Sequence, residues 1–167
     1  LEANTLYEFS IVATNISGQS EAVTNEATTL PWPPEAPGNL TATVLSQERI
    51  QLNWEDLADN EVAFRIIVRL AADPDNHQSI TSANQNHTES TLANLTANTS
   101  YIVEVGAYND GGINFASTTV TTLPWPPAAP SNLSVDVLSQ SEIQLTWQDN
   151  ADNETGFIIE DCTDPSG

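Results

Sequence analysis

Apolar and polar residues alternate along much of this chain. Ile50, Leu52 and Trp54 are separated by Gln51 and Asn53, and Tyr101, Val103, Val105 and Ala107 alternate with Ile102, Glu104 and Gly106. A period of two places each set on one face of an extended strand, whereas a helix would bring apolar residues round every three to four positions. The same reading predicts further strands at 40–44, 63–70, 78–82, 90–95 and 117–122, parted by turns that carry Asp, Asn, Gly and Pro. Seven short strands in 31–123 predict an all-β fold, an antiparallel two-sheet sandwich. Its expected core is Leu40, Ala42, Val44, Ile50, Leu52, Trp54, Phe64, Ile66, Val68, Tyr101, Val103 and Val105.

The pattern recurs. Residues 31–61, PWPPEAPGNLTATVLSQERIQLNWEDLADNE, return as residues 124–154, PWPPAAPSNLSVDVLSQSEIQLTWQDNADNE, an offset of 93. LEANTLY at residue 1 returns as LTANTSY at residue 95, an offset of 94, so one residue has been gained or lost near the glycine turns. Eight of the ten prolines lie in the two PWPPxAP copies, which read as semi-rigid extended joints because proline fixes φ. Joints at 31–37 and 124–130 divide the chain into the C-terminal part of a repeat (1–30), a complete repeat with its linker (31–123), and a linker with the N-terminal part of a third repeat (124–167). Trp32 and Trp125, each set between prolines, are expected to pack on an adjoining domain face and fix the angle between neighbours.

Neither partial repeat closes a sandwich alone. Residues 124–167 carry Leu133, Val135, Val137, Ile143, Leu145, Trp147, Phe157 and Ile159 on one face, and burying each is worth about 1.5–3 kcal/mol. That face has to be covered. Either the sequence is a window on a longer repeat array, or the front half of one chain is completed by the tail half of the next, head to tail, as a filament.

The PxxP-x-NL start, the L-x-W strands at Leu52–Trp54 and Leu145–Trp147, and L-x-A-N-T-x-Y followed by V-x-A-x-N resemble fibronectin type III repeats, an immunoglobulin-like sandwich family. The resemblance covers nearly the whole chain. It implies that Tyr7 and Tyr101 form tyrosine corners whose hydroxyls bond nearby backbone, and that Trp54 and Trp147 pack the core. The stretch at 149–157 and its weaker copy at 56–64 are similar to forms found in secreted or surface microbial members. No RGD triplet is present, so nothing supports integrin binding.

Composition narrows the partners. Net charge is −20, with 23 acids against three arginines and no lysine, which excludes nucleic acid and anionic membrane surfaces as targets. The longest aliphatic runs, such as Ile66-Ile67-Val68, are far short of a spanning helix. With no methionine in the chain, Leu1 is expected to be an internal residue of a longer or processed product. Acidic surfaces keep proteins soluble and discourage pairing of sheet edges.

Candidate chemistry is thin. His77 and His87 lie in a polar stretch without metal-ligand spacing, and the lone Cys162 reads as a small strand hydrophobe. The acidic loops Asp56, Asp59, Asn60, Glu61 and Asp149, Asp152, Asn153, Glu154 could supply several oxygen ligands to calcium, without the glycine and spacing of an EF-hand. Seven N-x-[ST] sequons, at Asn15, Asn39, Asn86, Asn94, Asn98, Asn132 and Asn153, exceed the roughly three expected by chance and suggest glycosylation and a secreted or cell-surface address.

The expected function is a non-catalytic extracellular structural repeat in a long surface protein or fibre, with neighbouring repeats as partners. Direct adhesion to a protein or glycan would use loops such as 109–112 or 15–18. The alternative is a spacer within a secreted glycan-degrading enzyme, whose catalytic residues would lie elsewhere.

Overall fold

The computed structural model describes residues 1–160, with backbone only at 77–80, and Cys162 lies outside the described residues. The described chain is extended strands and turns, and it divides into two compact units, Leu1–Leu123 and Pro124–Gly167, so residues 1–30 fall with the complete repeat.

Within the first unit, residues 35–123 form the expected sandwich. One sheet orders β5 (Gly38–Val44), β6 (Ile50–Glu55) and β9 (Glu89–Leu92). The other orders β11 (Gly112–Thr121), β10 (Ser100–Asn109), β7 (Ala63–Leu70) and β8 (Asp73–Asn84). All pairings are antiparallel. The alternation read from the sequence becomes the core: Ile50, Leu52, Trp54, Phe64, Ile66, Val68, Tyr101, Val103 and Val105 are buried, with Leu40, Ala42 and Val44 packed against them. Leu92, Ala107 and Val120 join the same cluster. The Trp54 and Phe64 rings meet across it at 5.6 Å.

Two strands run longer than the sequence suggests. β8 begins at Asp73 and β11 at Gly112 because each continues its ladder with a neighbour, β7 and β10 respectively, past the point where apolar alternation stops. Pro74 is tolerated because β8 is an edge strand.

Residues 1–30 repeat the last two strands. β1 (Leu6–Ile11) pairs with β4 (Val23–Thr28), with a short β2–β3 hairpin (Thr14–Asn15, Gly18–Gln19) between them. Corner hydrogen bonds recur in both copies. The Tyr101 hydroxyl accepts from the Thr96 N–H at 2.8 Å, and the Tyr7 hydroxyl accepts from the Glu2 N–H at 2.6 Å. The Thr122 hydroxyl accepts from the Thr99 N–H at 3.0 Å and donates to the Thr96 carbonyl at 2.6 Å. Thr29 does the same with Thr5 and Glu2, at 3.0 and 2.5 Å.

In the second unit, β12 (Ser131–Ser139) pairs with β13 (Glu142–Gln148). Residues 156–160, the counterpart of β7, form no strand. A strand needs a ladder, and in the complete repeat β7 takes its two from β10 and β8. The Trp147–Phe157 ring contact, 5.2 Å and edge-on, is nevertheless kept.

Replacing Tyr101 with Phe removes the acceptor for the Thr96 N–H while leaving the ring in the core. Urea unfolding should show a loss of about 0.5–1.5 kcal/mol, with an unchanged m-value; no loss would mean the corner bond contributes nothing to stability.

Candidate functional site

The proline joint is held to the repeat that follows it by backbone carbonyls. The Trp32 carbonyl accepts two side-chain amides, Asn60 at 3.0 Å and Asn109 at 2.9 Å. The Pro34 carbonyl accepts Asn114 at 2.8 Å, and the Pro34 ring is fully buried. Asn109 also donates to the Asn60 carbonyl at 3.1 Å and accepts the Gly111 N–H at 2.7 Å, tying the β10–β11 turn to the acidic loop. A Cβ built at Gly111 would sit 2.0 Å from the Pro31 carbonyl oxygen, so the turn and the joint meet at a distance only glycine permits. Proline favours this arrangement doubly: its ring presets the extended backbone, and its missing N–H leaves the carbonyls as the groups to be satisfied.

The anchor recurs. The Trp125 carbonyl accepts the Asn153 amide at 2.8 Å, Asn153 being the counterpart of Asn60. Asn150 donates to the Ala129 carbonyl at 2.9 Å and to the Ser131 hydroxyl at 3.0 Å.

The indoles take no part in these anchors. Trp32 is 76% exposed and Trp125 57% exposed. The residue is fixed through its main chain, which leaves the ring outside.

The acidic loops, where the sequence suggests calcium ligands, make turns and joint anchors. Asp56 accepts the Ala58 N–H at 3.2 Å and Asp149 the Ala151 N–H at 3.1 Å, ordinary Asx turns. Asn60 and Asn153 donate their amides to the joint, and Glu61 is buried while Asp59 stays exposed. Among the described residues, no three of His, Cys, Asp or Glu gather closely enough to hold a metal ion.

The model of the fibronectin type III domain matches residues 35–123. The chain belongs to the fibronectin type III domain family. Human contactin-1 is 27% identical over 95% of this chain, which spans 17% of that protein. Chicken sidekick-2 is 32% identical over 84% of the chain and 7% of its own length. This fibronectin type III chain thus spans under a fifth of those two curated relatives. Of solved structures, chicken CNTN1 FN1–FN3 domains superpose with a TM-score of 0.56 at 22% identity, covering 74% of this chain and 44% of that one. The solution structure of a human contactin 1 fn3 domain gives a TM-score of 0.51 at 25% identity, covering 58% and 85%.

Within this fibronectin type III framework, the sequon asparagines have a backbone role. Asn39, Asn86, Asn94, Asn98 and Asn132 all hold φ between 48° and 62°. Asn tolerates that left-handed region better than other residues with a side chain. Asn4, the counterpart of Asn98, has φ 50° but is followed by Thr-Leu and is no sequon, so the asparagine is kept where the triplet is not. Asn15 accepts the Ser17 N–H at 2.8 Å, and Asn153 is the joint anchor. Turn geometry therefore accounts for the asparagines without reference to glycans.

Sequence reasoning missed Asn109 and Asn114 as anchors. Asn109 was visible only as part of the turn signal 109–112, and its amide bonds to a residue 77 positions away. Glu61, expected from the sequence among the calcium ligands, is buried. It is 2% exposed, and neither carboxylate oxygen has a hydrogen-bond partner among the described residues; the Oε2 of its counterpart Glu154 is also buried without one. A buried carboxylate without a partner costs free energy. Replacing Glu61 with Met, of similar length and apolar, should raise stability by about 1–3 kcal/mol. Thermal unfolding that shows a clear loss instead would mean the carboxylate has a partner, such as bound water, that holds the loop.

Proposed function

We propose that this chain is a non-catalytic extracellular module whose role is mechanical: it sets the spacing and orientation of like repeats in a linear head-to-tail array and displays loops to protein partners. The observation that carries the reading is the anchored joint. A flexible tether needs no hydrogen bonds to its domain, yet the Trp32 carbonyl takes two amides and the Trp125 carbonyl takes the equivalent Asn153. A joint held this way transmits the orientation of one module to the next.

Four further features support the reading. The relatives include contactins, sidekick proteins and a collagen chain, which are cell-surface or extracellular proteins. No helix among the described residues is long and apolar enough to cross a membrane. The sequon asparagines at 39, 86, 94, 98 and 132 are exposed, so a host with N-linked machinery would find them accessible. The charge of −20 keeps such a module soluble and limits non-specific contacts.

Cutting the anchors tests the mechanical role. With Asn60→Ala and Asn109→Ala combined, small-angle scattering at low ionic strength should show a broader distribution of particle dimensions, while circular dichroism still reports a folded sandwich. Unchanged scattering in a variant that remains folded would remove the joint as the orienting element.

A further inference from the structure

The complete repeat turns two unlike faces to solvent, and both belong to a sandwich whose strands, β5 to β11, are all in place. Because Phe64, Ile66 and Val68 point into the core, their neighbours Arg65, Ile67 and Arg69 point out of the four-stranded sheet, beside Ile102, Glu104, Gly106 and Tyr108 of β10. Opposite Tyr108 and Gly106 on β11 stand Ile113 and Phe115. The three-stranded sheet instead turns out Thr41, Thr43, Gln51, Asn53, Glu55 and Thr91, none of them aromatic, aliphatic or cationic.

We propose that the outer face of the four-stranded sheet binds an extended acidic segment of a partner protein, one of whose carboxylates is held by the Arg65 guanidinium. This rests on the reading of the chain as a module that meets protein partners, and it names the surface and the partner's chemistry. Charge selects Arg65. The strands β7, β10 and β11 carry two arginines and one acid, Glu104, and Glu104 is ion-paired with Arg69. Arg65 makes no hydrogen bond or ion pair among the described residues, in a chain with 23 acids. Its guanidinium carbon lies 5.2 Å from the centroid of the Tyr108 ring, a stacking that holds the fork while leaving its N–H donors to solvent. A carboxylate accepts two such donors at once.

The surroundings fit such a ligand. Arg65, Tyr108, Thr81 and Ser82 line a hollow of about 420 Å³, where the two hydroxyls add donors beside the guanidinium. Next to it the Phe115 ring lies across Gly106, at which a Cβ would come within 2.6 Å of a ring carbon. The glycine thus lets the aromatic ring lie against the sheet. Phe115 is 38% exposed and Tyr108 half-buried, and with Arg65 they are the residue types enriched at protein interfaces.

The sheet edge favours a polypeptide over an acidic sugar. β8 is the outer strand on this side, and residues 76–84 contain no acid, so its free edge offers main-chain donors and acceptors to an acidic strand without repelling it. The face is also a property of this repeat rather than of the scaffold. The inward pair Phe64 and Ile66 returns as Phe157 and Ile159, while Arg65 between them becomes Ile158.

Titration of the full chain, followed through its amide NMR signals, tests this in about 0.15 M salt, where a Debye length of about 8 Å screens the net charge. The probe is the capped peptide acetyl-Val-Glu-Val-Glu-Val-amide, an extended segment with its carboxylates on one face. It should give saturable shifts at Arg65, Thr81, Ser82 and Tyr108, and the version with Gln in place of Glu should bind at least about tenfold more weakly. Arg65→Ala, at an exposed position, should weaken the glutamate peptide at least about tenfold while the rest of the spectrum stays in place. Arg65→Lys, which keeps the charge but not the fork, should recover only part of that loss. Absence of saturable shifts, or equal affinity in Arg65→Ala, overturns the proposal. So does tighter binding of an oligogalacturonate at the same residues, which would make the face a site for acidic glycans. Shifts confined to 109–112 or 15–18 overturn it too, while upholding the reading that loops meet partners; the joint is read separately, by scattering from the anchor variant.

Discussion

A β-sheet with one apolar face is stable only when something apolar lies against it, and this constraint organises the chain at every level. In the complete repeat it is met internally, β5–β6–β9 against β11–β10–β7–β8, with Trp54 and Phe64 in contact at the seam. In the half-repeats the strands form and pair, the tyrosine corner of residues 1–30 is made, and the Trp147–Phe157 contact is kept. The strands that face them in the complete repeat have no counterpart within residues 1–30 or 131–148 respectively. Local hydrogen bonding is therefore sufficient for hairpins, while the ladder of 156–160 depends on strands that follow later in the repeat.

The joint obeys a different constraint. Proline-rich backbone offers carbonyls but few N–H groups, so it cannot be held by a ladder and must borrow donors from side chains. Asparagine amides from two loops supply them, Asn60 before β7 and Asn109 at the end of β10. Binding the main chain rather than the indole lets the position stay fixed while the Trp32 ring remains in solvent. Exposed aromatic residues are of the kind enriched in protein interfaces.

Most of the fold was legible because it rests on period two and on self-similarity, both properties of the sequence alone. The core positions from Leu40 to Val105 follow from alternation, and Leu92 and Val120 escaped because their strands are flanked by Thr and Ser that blur it. The site was far less legible. An asparagine amide bonded across 77 residues leaves no local trace, and an asparagine at positive φ looks the same in sequence as a glycan acceptor. Glu61 shows the limit most clearly. Its neighbours Asp59 and Asn60 are exposed and polar, as an ion-binding loop would be, yet its own carboxylate turns inward.

The change of offset from 94 to 93 shows which parts of the repeat can vary. Tyr7 faces Ala27 as Tyr101 faces Val120, and Thr29 bonds Thr5 as Thr122 bonds Thr99, so the extra residue of the first copy has left the inward faces aligned. It lies between Gly18 and Val23, where β3 ends at Gln19 and the pairing resumes at β4. The second copy crosses the same region as one unbroken strand, Gly112–Thr121. An extra residue inside that ladder would turn each later side chain to the opposite face, setting Glu26 or Thr28 rather than Ala27 opposite Tyr7. Placed in the break at 20–22, it costs a few strand hydrogen bonds and no core contact. The register of the corner is thus the invariant of the repeat, and the turn beyond it is where length can change.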